Sequence, residues 1–197
     1  PVGGALVGLA RGRVDEKLVE AHVVFPAHGR GAARPLDVRR GLRRLATALF
    51  TRRGLAVGHI LELLPPSRDG AIDHTAETFR WEVFLRAGDP RNPDVGASYH
   101  AGVSKNGWFS CPDNGTFDSQ GRLWLTTDSD HKLTGFGDGV YACDTTGAGR
   151  ALPKLFFHGP SRSEVSGVCL SPDNETLFVS VQHPGEESKA LDKLTSV

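Results

Sequence analysis

The chain has 197 residues, 39% hydrophobic and 23% charged, with zero formal net charge. That is the size of one domain. The even charge balance gives no compositional ground for a nucleic-acid or membrane-surface partner, and no run of 18 apolar residues is present to span a bilayer. The 24 Gly and 12 Pro give a turn content that suits a β-rich protein better than a helical bundle. Cys111, Cys143 and Cys169 are too few and too scattered for a disulfide framework or a Cys-x-x-Cys metal site. The chain lacks Met and begins at Pro1, so it reads as a fragment, and no signal-peptide pattern opens it.

Charge divides the chain near residue 55. Residues 1–55 hold ten Arg and one Lys against four acids, and residues 56–197 hold twelve basic against nineteen acidic residues. Six of the arginines lie between Arg39 and Arg53. Such a block can be a nucleic-acid arm. The pattern Leu42, Leu45, Ala46, Leu49, Phe50 instead predicts one apolar face of a short helix ringed by arginines. Residues 1–55 also have the Arg/Ala/Gly-rich texture of a shifted reading frame. They are therefore set apart as an irregular or short-helical segment of doubtful register, expected to pack poorly on residues 56–197.

Beyond residue 55 the sequence alternates short strands and turns. Phe79–Leu85 predicts a strand with Phe79, Trp81, Val83 and Leu85 on one face and Arg80, Glu82 and Phe84 on the other. Arg122–Thr127 comes after a Ser119-Gln120-Gly121 turn, and Leu177–Val181 after Pro172-Asp173-Asn174-Glu175. Val140–Cys143 and Val165–Leu170 are further candidates. The stretches Phe117–Leu125 and Leu170–Val179 echo each other: an apolar strand end, an acidic turn, then a Leu-aromatic-aliphatic strand. The spacing is close to the ~50-residue period of large propeller blades, which are stable only when stacked. The expected fold is thus all-β, a β-propeller portion of about two to three blades over residues 56–197.

Two clusters could carry chemistry. The first runs from Cys111-Pro112-Asp113-Asn114 through Asp118 to Thr127-Asp128-Ser129-Asp130-His131. Taken singly, its acids are turn residues that bond their own backbone. Taken together, they are oxygen donors for a hard cation, which needs six to eight of them. Their spacing is not that of an EF-hand, so any ion would be held from several loops. The second is Arg162-Ser163-Glu164-Val165-Ser166-Gly167, where a carboxylate enters an apolar strand and needs either a cation or the Arg162 guanidinium beside it. His183, in Gln182-His183-Pro184-Gly185-Glu186, reads as a polar loop residue. His100, His131 and His158 lack zinc-site spacing. No Gly-x-Ser-x-Gly elbow occurs, and Gly135-Phe136-Gly137-Asp138-Gly139 is a hairpin turn without the lysine of a phosphate loop.

Three blocks in order resemble the PhoX-type alkaline phosphatases. They are Thr78–Phe84 with Ala87-Gly88-Asp89-Pro90, Pro112-Asp113-Asn114 with Asp118–Trp124 and Thr127-Asp128, and Glu164–Gly167 running on to Leu177–Glu186. The resemblance covers about Gly58 to Glu187. It implies a secreted, periplasmic or extracellular β-propeller phosphomonoesterase that acts on small phosphate esters with clustered calcium and iron. It carries metal-ligand roles onto Glu164, Asn114, Asp113 and Asp128, and leaves the catalytic residues unassigned. The family's upstream acids, iron-binding Cys, phosphate-side Arg and Met-Asp-Arg-Pro-Glu segment have no counterpart in residues 1–55. A propeller that has lost catalysis and serves as a scaffold is the alternative. Cys111 and Cys169 fall on repeat-related segments, too far apart for a disulfide, which needs Cα atoms within ~7 Å.

Overall fold

The computed structural model describes residues 6–14, 17–25, 44–48, 51–52, 55–73, 75–129 and 134–185, with the backbone alone before residue 57. Among the described residues the regular secondary structure is almost wholly antiparallel strand. The first sheet contains β1 (Leu6–Val14), β2 (Lys17–Phe25), β3 (Arg44–Ala48), β6 (His59–Leu64) and β9 (Arg80–Arg86), in that spatial order. Two small hairpins interrupt it: β4 (Thr51–Arg52) with β5 (Leu55–Ala56), and β7 (Ser67–Arg68) with β8 (Ala71–Ile72). The second hairpin turns at Asp69-Gly70, both at positive φ (53° and 79°), as a two-residue turn between right-twisted strands requires.

The second sheet is a four-stranded meander of β10 (Pro112–Phe117), β11 (Leu123–Thr127), β12 (Gly139–Cys143) and β13 (Lys154–His158). A 3-10 turn at Gly147–Gly149 lies between its last two strands. β14 (Glu164–Leu170) and β15 (Leu177–Gln182) form a final hairpin. The strands expected at Phe79–Leu85, Arg122–Thr127, Val140–Cys143, Val165–Leu170 and Leu177–Val181 are all present within a residue or two of their ends.

The helix expected through Leu42–Phe50 is absent from the described part of that stretch, residues 44–48. Arg44–Ala48 is a strand, paired with β2 on one side and with β6 on the other, from Arg44 opposite Leu63 to Ala48 opposite His59. An amphipathic pattern of two turns is a weak preference, and pairing on both edges overrides it. The described part of residues 1–55 is therefore neither irregular nor helical, and at β3 it is joined to β6, beyond residue 55. The side chains of Arg39–Arg53 lie outside the described residues.

Two cores separate the layers. Ile60, Phe84, Leu85, Ala87 and Phe109 pack with Leu123, Leu125, Tyr141 and Cys143. Trp124 and Val140, on the opposite face of the second sheet, pack with Val165 and Val168 of the final hairpin. Alternate residues of β11 thus enter different cores, and all five of its residues are buried. β9 departs from strict alternation. Its ladder with β6 shifts register between Ile60 and Leu61, so that Ile60 faces Leu85 while Leu61 faces Val83. That bulge lets the adjacent Phe84 and Leu85 both be buried, and it leaves Trp81 and Val83 exposed on an edge strand.

Candidate functional site

The two echoing stretches are matched hairpins. β10–β11 closes on Phe117 opposite Leu123, and β14–β15 closes on Leu170 opposite Leu177. Their turns touch: the Asn174 side chain accepts from the Ser119 N–H at 3.2 Å and donates to the Ser119 hydroxyl at 2.5 Å. Each hairpin also carries a register shift toward its far end, between Pro112 and Gly115 in one and between Ser166 and Cys169 in the other. Bulges re-aim side chains, and here they gather polar groups from both hairpins at one end.

Asp113 and Asn114 lie within the first bulge. The Asn114 amide N–H donates to the Asp113 carboxylate, and its oxygen accepts from the Gly167 N–H in the second bulge at 3.3 Å. Gly167 has φ +61°, and a Cβ there would come within 3.0 Å of the Ser180 hydroxyl, so both backbone and space call for glycine. Glu164 opens β14 directly opposite Gln182. The Gln182 amide donates to Glu164 Oε1 and to the Ser166 hydroxyl, each at 2.8 Å. His183 Nε2 lies 3.4 Å from Glu164 Oε2. The Glu164 side chain is only 14% exposed. Burial, followed by the negative charges of Asp128 and Asp113, raises its carboxyl above the ordinary glutamate range, against a downward pull from His183.

Asp128 comes directly after β11, exposed, with its N–H donated to the Cys111 carbonyl at 3.0 Å. The structure therefore brings Glu164, Asp113, Asn114 and Asp128 to one end of the neighbouring hairpins. Glu164 takes Gln182 and His183 as partners, while Arg162 adopts a left-handed backbone (φ 59°) in the turn before β14. Among the described residues no three His, Cys, Asp or Glu side chains are arranged to close around one ion. Asp130 and His131 lie outside the described residues.

Asp118, at the other end of the first hairpin, is a turn residue. Its buried carboxylate accepts from the Gln120 and Arg122 N–H groups, from Arg122 Nε at 2.6 Å and from the Trp124 indole at 3.0 Å. Burial pushes this carboxyl up, but the hydrogen bonds and the guanidinium together hold it below the ordinary aspartate range. His100 caps a loop by accepting from the Gly102 N–H, and His158 meets the Phe136 ring edge-on. None of the three cysteines is in a disulfide, and burial raises the Cys143 thiol to about 12.

Sequence reasoning does not single out Asp138 or Ser166, and it takes His183 for a plain loop residue. Asp138 sits in a glycine-rich stretch that reads as a turn. Its burial appears once β11 pairs with β12 and brings Thr127 and Ser129 to it, and the approach of His183 to Glu164 follows from the pairing of β14 with β15.

The family described as Alkaline phosphatase PhoX matches residues 36–185, a span that takes in β3 as well as the three blocks beyond it up to Gly185. No curated protein and no solved structure matches the chain.

Proposed function

The chain belongs to the alkaline phosphatase PhoX family, and we propose that its sheets are blades of a secreted β-propeller phosphomonoesterase with a cation held between Asp113, Asn114, Asp128 and Glu164. The blade assignment is supported by the four-stranded meander β10–β13, covered on both faces, and by the matched hairpin β14–β15. The observation that carries the site is the Glu164 carboxyl, 14% exposed on the hairpin that Gly167 ties to Asn114, and raised first by its burial and then by Asp128 and Asp113. Like charges gathered in a partly dehydrated place are unfavourable unless they share protons or a cation.

The donor type suits a hard cation, although among the described residues three acidic side chains do not close around one point. Asp113, Asn114, Asp128 and Glu164 offer only oxygen, the preference of calcium rather than of a softer metal. The Asn114 oxygen spends one lone pair on the Gly167 N–H and retains another. A calcium ion needs more oxygens than these four residues supply one apiece, so its remaining ligands, and those of any iron, come from other groups. When bound, such ions polarise the oxygens of a phosphate ester. The chain's own contribution is orientation: Gln182 and His183 fix the Glu164 carboxylate, and the Asn114–Gly167 bond locks the two bulges together.

The reading is tested by hydrolysis of p-nitrophenyl phosphate, before and after EGTA treatment and on return of calcium. The expected result is hydrolysis lost on chelation and restored by calcium, with Glu164→Gln impaired at limiting calcium and its thermal midpoint little changed. Absence of calcium-dependent hydrolysis would favour a scaffold that keeps the fold without the chemistry.

A further inference from the structure

We propose that Asp138 is a positioning residue that clamps the end of β11 and thereby fixes Asp128 at the end of the hairpins where Glu164 lies. This rests on the reading of Asp128 and Glu164 as cation donors. Asp138 is 4% exposed and lies just before β12. Its Oδ1 accepts from the Thr127 hydroxyl at 2.6 Å, and from the N–H and the hydroxyl of Ser129, each at 2.8 Å. The Thr127 oxygen in turn accepts from the Gly139 N–H at 3.2 Å. The two residues flanking Asp128 are therefore bound to one carboxylate oxygen, while the Asp128 N–H is bound to the Cys111 carbonyl at 3.0 Å. The Asp128 backbone is fixed from both sides, next to the bulge whose Asn114 oxygen accepts from Gly167 of the neighbouring hairpin.

A carboxylate is a costly way to end a strand. Withdrawing it from water is unfavourable unless its hydrogen bonds compensate, and an ordinary turn is capped as well by a partly exposed Asn or Ser. What Asp138 adds is three donors converging on one atom, which fixes direction as well as contact. Outer groups of this kind commonly change metal affinity by ~10–100-fold when removed.

The test is a calcium titration calorimetry cycle on the full chain, with urea midpoints measured in EGTA. The variants are Asp138→Asn, Thr127→Val, Thr127→Ser, Asp128→Asn, Glu164→Gln and the double variant Asp128→Asn/Asp138→Asn. We expect Asp138→Asn and Thr127→Val to weaken calcium by ~10-fold or more. Thr127→Ser, which keeps the hydroxyl, should retain affinity. In the Asp128→Asn background, Asp138→Asn should have little further effect, because its influence passes through Asp128. A merely structural residue would lower the urea midpoint equally in both backgrounds and leave calcium affinity alone, and that result overturns the proposal. If Asp138→Asn fails to fold, Thr127→Val against Thr127→Ser decides it. Should Glu164→Gln bind calcium as well as the parent, the cation reading itself falls. Should Glu164→Gln weaken calcium while the Asp138 and Thr127 variants do not, only the clamp falls.

Discussion

At the scale of single residues, Asp118 and Glu164 show how the same functional group takes opposite roles. Asp118 is held below its ordinary range, so the stability it contributes is present above that range and is lost as pH falls through its folded value. Asp118→Ala leaves the Trp124 indole and the Arg122 N–H groups without their acceptor, at a cost of about 3 kcal/mol. Urea unfolding at neutral and acid pH should show that cost shrinking on acidification. Glu164 runs the other way. Its carboxyl is raised, so its contribution is complete below the ordinary glutamate range and is lost as pH rises through the folded value. In EGTA, Glu164→Gln should therefore flatten the loss of stability that the parent shows as pH rises through and above the ordinary glutamate range. Added calcium should stabilise the parent more than the variant, as read from thermal midpoints with and without calcium.

At the scale of elements, the second sheet is where packing is tightest. Leu125 is fully buried, and Leu125→Ala should cost about 2–5 kcal/mol in urea unfolding. Gly139 begins β12 where a Cβ would stand 2.5 Å from the Phe157 carbonyl and 3.0 Å from a Leu155 methyl. Gly139→Ala should destabilise by about 1–3 kcal/mol, because the nearer neighbour is backbone and cannot swing aside. Strands such as Leu123–Thr127 and Leu177–Gln182 are legible in the sequence because β-branched and aromatic runs stand between Asp, Gly and Pro turns. The strand Arg44–Ala48 is not legible. Its local pattern favours a helix, and only its pairing with β2 and β6, on either side of it in the sheet, decides otherwise. The bulge in β9 is hidden for the same reason. Nothing in Phe79–Leu85 marks where the ladder with β6 slips.

At the scale of the molecule, the aromatic residues divide into two populations. Phe109, Trp124 and Tyr141 are buried between layers and Trp108 is buried beside Phe136, whereas Phe79, Trp81, Phe156 and Phe178 are exposed. Phe178→Ser, at 59% exposure, should shift the unfolding free energy by less than about 0.5 kcal/mol, while Trp124→Ala should cost about 3–5 kcal/mol. The candidate site is partly legible at this scale. Glu164, Asp113, Asn114 and Asp128 stand out in the sequence, and the fold gathers them because the two hairpins repeat the same bulged geometry side by side. Asp138 and Ser166 do not stand out, since a buried clamp and a turn aspartate look alike until the layers are stacked.

The most direct measurement is a crystal structure of the protein grown in calcium, with the ion identified by its anomalous signal. The account predicts calcium about 2.3–2.6 Å from Glu164 and from Asp113 or Asp128, the usual calcium–oxygen distance. Glu164 engaged only with Gln182 and His183, with calcium absent from this end of the hairpins, would contradict it.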